Sequence, residues 1–348
     1  MYSIKSLKFN VRIFCLSTSY IINLYVSSNT MATLQQLREQ YLKLSHPDNI
    51  EDCIEALNRY CNFFLTAIKN HQTENNTTAQ EIEAKLILQM MMTKALHIKS
   101  AITGVEFDTK KGIKLNKIID PTIIASLIRN VYEMAAMFNL IYRTNKEGDE
   151  RDIVYKLWVI SGLKYRQRFS VHITTPENEA KRKLEEQNIK DHVTEIEGTK
   201  LYKSLSEKDK TKINRLIDDK DYLMRFEGNS VKILQWQALI ETMECKQDFF
   251  QRIYTYFSLY SHPSNVSVFQ FRDMFMPDKN SFVSTTTFNM QYVFMLLSIF
   301  IADYINLFPQ VLKTFNNLDL MDQLIINANN IFARDYPYSI NDTWKELG

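Results

Sequence analysis

The chain has 348 residues, 45% apolar and 24% charged, with 42 Lys/Arg against 40 Asp/Glu and a formal net charge of +2. That composition excludes a disordered or collagen-like chain, and a charge so near zero leaves no strong electrostatic footprint for nucleic acid or an anionic membrane. Glycine is scarce, 7 residues or about 2% against a usual ~7%, and neither GxGxxG nor GxxxxGK[ST] occurs, so the expectation is an all-α multi-helix bundle with at most one short β-hairpin and no nucleotide loop.

Residues 1–30 differ from the rest. Lys5, Lys8 and Arg12 precede an apolar stretch, Ile13 to Val26, that is interrupted by Ser17, Thr18, Ser19 and Asn23. No small-residue cleavage site follows, so this reads as an upstream extension, a weak signal-like segment or a structural segment. It is too short to span a bilayer. MATLQQLREQYLKL is cleanly amphipathic from its first residue, which makes Met31 the expected start of the folded chain. Without the three basic residues the net charge is 2 − 3 = −1.

The body then reads as helices in order. Leu34, Leu37, Tyr41 and Leu44 recur at helical spacing. His46-Pro47-Asp48 breaks the pattern, and Asp48 with Glu51 offers a capping box for a helix reaching Asn70. Its expected inner stripe is Ile54, Leu57, Cys61, Phe64, Leu65 and Ile68. Cys53 and Cys61, eight residues apart on that helix, stand about 12 Å apart and cannot pair. With Cys15 and Cys245 they form no CxxC or zinc spacing. The cysteines therefore read as small buried hydrophobes in a reducing, cytoplasmic setting, and no metal or cofactor is expected.

A third helix, Ala79 to Thr103, carries Ile82, Leu86, Met90, Thr93 and Leu96-His97 as its stripe. Val105 to Ile119 alternates about Lys-Lys-Gly and is the one expected hairpin. Asp120-Pro121 opens a helix to Tyr142 with Ile124, Leu127, Ile128, Val131, Ala135 and Phe138 inward. Asp149 to Phe169 forms its expected antiparallel partner. Residues 177–227 hold 12 Lys/Arg and 13 Asp/Glu. They read as a charged helical insertion that projects from the bundle, a solvated surface hairpin with no function of its own, with a docking arm for a protein partner as the alternative. Residues 31–176 and 228–348 make up the single helical domain around it. Within that domain Val231–Met243 and Lys246–Ser261 read as helices. Thr286 to Phe308 is the expected central core helix, its apolar run of about 11 residues falling short of the ~20 a membrane span needs. Pro309 opens a last helix.

Two clusters carry the candidate chemistry. On the Pro121 helix, Arg129 and Glu133 are four residues apart and can pair amid Ile128, Val131, Met134 and Ala135. In YTYFSLYSHPSNVSVFQF, Tyr254, Ser258 and Ser261-His262 share a helix face, and Pro263 forces His262 out of the helix. Ser258 and His262 have the spacing of a minimal nucleophile–base pair, and equally that of side chains satisfying the helix's own last carbonyls. The two clusters are expected to meet in one polar pocket, because buried polar groups satisfy each other.

RNVYEMAAMFNLIY with the following VYKLW, and YFSLYSHPSNVSVFQF, resemble an uncharacterised bacterial all-helical family. That family is marked by an Arg-x-x-x-Glu helix and a late Tyr-x-Ser-x-x-Ser-His-Pro signature. The resemblance covers roughly 119–308 without the charged segment, implies no established activity, and points to Arg129, Glu133, Ser258 and His262 as the family residues. A more distant likeness is to HEPN domains, helical bundles that include metal-independent RNases. Here the chain departs from the pattern: nine residues, not four to six, separate Arg252 from His262, and no histidine follows Arg129 in range. Three functions stay open at this point. They are a non-catalytic helical module, a HEPN-like RNase or toxin/defence component with His262 as general base and Arg129 stabilising phosphate charge, and a small-ligand binder in the bundle core.

Overall fold

The structure, a computed structural model, describes residues 28–71, 78–169, 175–273 and 280–342. Nearly all of the expectation for residues 1–30 therefore lies outside the described residues. The first described helix, α1 (Ser28–Ser45), already runs at Met31. Helix α2 (Ile50–His71) follows. Its cap is Asn49 rather than Asp48: Asn49 Oδ1 accepts from the Asp52 amide at 2.8 Å while Asn49 Nδ2 donates to the Asp52 carboxylate at 2.9 Å.

Helix α3 (Ala79–Ile102) starts with a complete capping box between Thr78 and Glu81. It faces the core with Ala84, Ile87, Leu88, Met91, Ala95 and Ile98. The expected inner stripe is thus the outer one, and Ile82, Leu86, Met90 and Leu96 are exposed. Two apolar stripes share this helix, and periodicity alone cannot rank them. The expected hairpin forms as β1 (Val105–Asp108) and β2 (Lys114–Ile118). Gly104 starts it at φ +78°, where a Cβ would sit 2.7 Å from the Ile118 carbonyl oxygen, so a side chain there is excluded both by conformation and by space.

Helix α4 (Pro121–Asn139) is capped by Asp120, as its sequence predicts. It continues into a π-turn, Leu140–Thr144. Helix α5 (Asp149–Gln167) packs chiefly on the charged segment rather than on α4, which corrects the expected antiparallel pair. That segment forms α6 (Pro176–Gly198), α7 (Lys200–Ser204) and α8 (Glu207–Asp219). It does not stand free. Ile196, Leu205, Ile213, Leu216 and Ile217 are buried. Ser161 and Lys164 of α5 donate to the carbonyls of Lys220 and Ile217, and Arg166 and Gln167 hold the Glu185 carboxylate. A few apolar anchors at helical spacing suffice to lay a charged segment on a neighbour.

A second hairpin, β3 (Met224–Glu227) with β4 (Ser230–Ile233), follows. This corrects both the limit of one hairpin and the helical reading of 177–227 and Val231–Met243. Its signal was present: alternating MRFE and SVKI flank a two-residue Gly228-Asn229 loop, with Gly228 at φ +61°. The chain then breaks into a 3-10 turn (Trp236–Ala238), α9 (Leu239–Thr242) and α10 (Gln247–Phe250). The two helices that bear on the candidate site are α11 (Ile253–Ser261) and α12 (Asn265–Asp273). The all-α class stands, with the two small hairpins as its sheet content among the described residues.

Helix α13 (Asn280–Leu307) is the axle, packed against α2, α4 and a final helix α15 (Leu320–Arg334), with the short α14 (Val311–Asn316) between. It is the one stretch among the described residues long and apolar enough to cross a membrane, Phe282–Leu307. Of its most apolar 18-residue window, 72% is buried inside the bundle. Phe294, Phe300, Ile301 and Tyr304 are fully covered, as a core helix requires.

Near the C-terminal end of this apolar helix sits a charge. Asp303 accepts from Arg334 Nη1 at 2.7 Å and Nη2 at 2.8 Å, with both side chains 0% exposed. Asn139 Nδ2 donates to Asp303 at 2.8 Å, Arg143 Nη1 approaches it at 3.3 Å, and Arg334 Nε donates to the Met243 carbonyl at 2.7 Å. Burial alone would push the Arg334 pKa down, but the carboxylate more than offsets this and holds it above the usual value. Two non-glycine residues beside the pair adopt positive φ, Glu244 at 58° and Asp335 at 142°. Such conformations cost on the order of 1–3 kcal/mol each and persist only where surroundings impose them.

Asp303→Ala is expected to destabilise the protein by about 3–5 kcal/mol, because it strands a buried arginine. Arg143→Ala, at a side chain 24% exposed, should cost about 1 kcal/mol. Urea unfolding of the two variants measures both, and equal losses would contradict the network described.

Candidate functional site

The candidate residues come from two elements whose ends the sequence dictates. Asp120 and Pro121 start α4, placing Arg129 and Glu133 on successive turns of one face. Pro263 stops α11. His262 is extended there (φ −99°, ψ 152°) and its amide still donates to the Ser258 carbonyl at 3.2 Å. The other end of α11 is set by Arg252 at φ 65°, which interrupts the single helix expected over Lys246–Ser261. Helix α11 packs along α4 and brings the two sequence clusters together.

Arg129 is the hub. Its Nε donates to Glu133 Oε1 at 2.9 Å, its Nη2 to the Tyr254 hydroxyl at 2.8 Å, and its Nη1 lies 2.9 Å from His262 Nε2. Arginine has no acceptor, so His262 must accept at that nitrogen. The Tyr254 hydroxyl donates onward to Glu133 Oε1 at 3.2 Å, closing a ring of Arg129, Tyr254 and Glu133. The guanidinium carbon also lies 5.0 Å from the Tyr254 ring centroid. Burial alone would lower the Arg129 pKa; the Glu133 carboxylate outweighs it and the pKa is raised. The Tyr254 phenol is pushed up by burial and then by Glu133. Lys94 of α3 lies within electrostatic reach of Glu133, and its pKa is lowered by burial against that carboxylate's pull.

Ser258 does not join. Its hydroxyl donates to the Tyr254 carbonyl at 2.7 Å within its own helix, which is the capping alternative rather than a nucleophile presented to His262. The Arg129–Glu133 pair that forms is a half-exposed helix pair. The Arg129 and Glu133 side chains are 25% and 29% exposed, and His262 is exposed, so the cluster lies at an open surface.

The residues missed by sequence reasoning are aromatic. Tyr254 shares the Ser258 face and was visible as such. Its neighbours come from distant positions: Trp236 is near-parallel to it at 6.1 Å and Tyr132 tilts against it at 5.4 Å. The Tyr132 hydroxyl donates to the Trp236 carbonyl at 2.6 Å, and Tyr222 meets Trp236 edge-on. These aromatics form a wall that fixes Tyr254 and, through it, Arg129. Among the described residues no group of His, Cys, Asp or Glu has the arrangement to hold a metal ion.

No protein-family model, curated protein or solved structure matches the chain.

Glu133→Ala is expected to cost about 1–2 kcal/mol, reduced from a fully buried pair's value by the exposure of both partners. Tyr254→Phe should cost about 1 kcal/mol by unmaking two hydrogen bonds. Ser258→Ala should be neutral to within about 0.5 kcal/mol. Chemical denaturation of the three variants tests the ring, and a Ser258→Ala loss as large as that of Glu133→Ala would place the serine inside it.

Proposed function

We propose that this chain is a non-catalytic helical module whose Arg129–Glu133–Tyr254–His262 cluster joins α4 to α11 and serves as a recognition surface. One observation carries the reading: the groups that would do chemistry are already engaged. The Ser258 hydroxyl is bonded to its own helix, and His262 Nε2 is held by Arg129. A serine nucleophile needs a base within hydrogen-bond reach, and a histidine base needs the nitrogen that arginine occupies. The resemblance to the bacterial helical family, which implies no established activity, agrees with this. A cytoplasmic setting belongs to the same reading and is supported by three free cysteines, Cys53, Cys61 and Cys245. Burial pushes the Cys53 and Cys245 thiols up to about 12, which suits inert packing rather than redox work.

A second reading has one observation in its favour. Arg129 and His262 are in contact at 2.9 Å on an exposed face, the juxtaposition that a HEPN-like RNase would need for a general base beside a phosphate-stabilising arginine. Small-ligand binding inside the core has less support, because the cluster opens outward.

Incubating the purified protein with single-stranded and hairpin RNA, without added metal, separates the readings. The expected outcome is no cleavage above a buffer control. Cleavage abolished by His262→Ala, with melting temperature retained, would replace the module by the nuclease.

A further inference from the structure

Helix α3 carries an outward stripe that the described chain leaves uncovered. Ile82, Leu86, Met90 and Leu96 are 46%, 49%, 50% and 40% exposed. Leu65 of α2, itself exposed, widens the stripe. Asn58, two turns before Leu65 and so on the same side of α2, accepts from Lys99 of α3 at 2.7 Å. The stripe is also free of charge. From Ala79 to Ser100 no exposed residue is Asp, Glu, Lys or Arg. The five charged residues of α3, at 81, 83, 85, 94 and 99, are half-buried along its flanks. They are engaged within the chain: Glu81 closes the capping box, Lys85 lies over the Phe308 ring at 5.7 Å, and Lys99 holds Asn58. A helix face that meets only water normally carries the charges; here they are drawn off it.

The spacing of the face is that of a seam. Ile82, Leu86, Gln89, Thr93, Leu96 and Ser100 follow one another at steps of four, three, four, three and four, the 3.5-residue period of a coiled coil. The seam is complementary to itself when reversed. With Leu86 set against Leu96 of an antiparallel copy, Gln89 falls against Thr93 and Ile82 against Ser100. Leucine then meets leucine, and the Gln89 amide meets a hydroxyl. The Thr93 hydroxyl donates to the Met90 carbonyl at 2.8 Å, which leaves its oxygen able to accept from Gln89. One polar layer within such a seam fixes its register.

We propose that the outer face of α3 pairs with the same face of a second copy of this chain, antiparallel about a two-fold axis near Met91. The occupant must itself be uncharged, since a charge buried against an apolar seam without a partner is costly, and it must share the 3.5-residue period. Helix α3 meets both conditions, and a self-complementary patch closes into a two-fold pair. The hairpin that follows α3 sets the direction. It carries Lys110, Lys111, Lys114 and Lys117 against Glu106 and Asp108. A parallel pair would bring two such basic hairpins together, whereas the antiparallel pair holds them at opposite ends. A lipid surface is a poorer occupant, because interfacial helices present their lysines beside the apolar face, and here Lys85 and Lys99 are turned to groups of their own chain.

Sedimentation velocity of the full chain tests this. At a concentration on the order of 100 µM, where even a modest interface is populated, the expected species is a dimer that dissociates on dilution. Leu86→Glu, at an exposed helix position, should weaken association by about tenfold or more and leave the melting temperature of the diluted monomer unchanged. Orientation is read with Leu86→Cys and Leu96→Cys. Mild oxidation is expected to cross-link a mixture of the two variants, and neither alone above the background of the wild-type cysteines. Cross-linking of Leu86→Cys to itself would overturn the antiparallel register. A monomer at every concentration, or a dimer indifferent to Leu86→Glu, would overturn the proposal. So would a dimer that forms only after residues 1–27 are deleted, since the chain's own amino-terminal segment would then be the occupant.

Discussion

The buried pair of Asp303 and Arg334 is the constraint on which the rest of the architecture hangs. A buried acid near the end of the long apolar core helix cannot remain unpaired, because an isolated buried carboxylate costs far more than the net stability of a domain. Its partner must come from another helix, and Arg334 is the last residue of α15. Asn139, at the end of α4, supplies a further donor to the same carboxylate. One side chain thereby sets where three helices end relative to each other. The π-turn after Asn139 and the positive φ values of Glu244 and Asp335 are local departures gathered around this point. They are consistent with backbone bent to satisfy the pair.

Helix α4 carries the arrangement outward. Its C-terminal end is bonded to the core through Asn139, while Arg129 and Glu133, up to three turns earlier, reach the surface. The ring of Arg129, Tyr254 and Glu133, with His262 against it, is therefore mounted on a helix anchored in the core. Rigid mounting favours recognition, since less ordering is left to be done on binding. Across the same contact the turn at Pro263 sends α12 away with its apolar face uncovered. The stable part of the site and the exposed part thus differ by one proline and the serines that follow it.

Much of this was legible in the sequence where a local rule operates. Asp120-Pro121 starts α4, Pro263 ends α11 with His262 extended, and the alternation about Lys-Lys-Gly yields β1 and β2, each because backbone sterics or capping acts within a few residues. The meeting of Arg129 with His262 followed from the requirement that polar groups in apolar helices find partners. Where two local solutions compete, the reading failed. Helix α3 has an apolar stripe on either side, and the one chosen faces solvent. The charges on either side of Gly228-Asn229 have the look of a helical surface and mask its turn signal.

What the sequence determined by itself is the helical class, most helix ends and the pairing partners that spacing allows within a helix, since these depend on interactions a few residues long. Only the tertiary structure decided that Ser258 turns back on its own helix, that Trp236 and Tyr132 brace Tyr254, that α6 to α8 lie along α5, and that Asp303 meets Arg334. The last three join elements through contacts between side chains of different helices or loops, and Ser258 turns on which of two locally allowed partners its hydroxyl takes. Sequence spacing carries no information about either until the helices are packed.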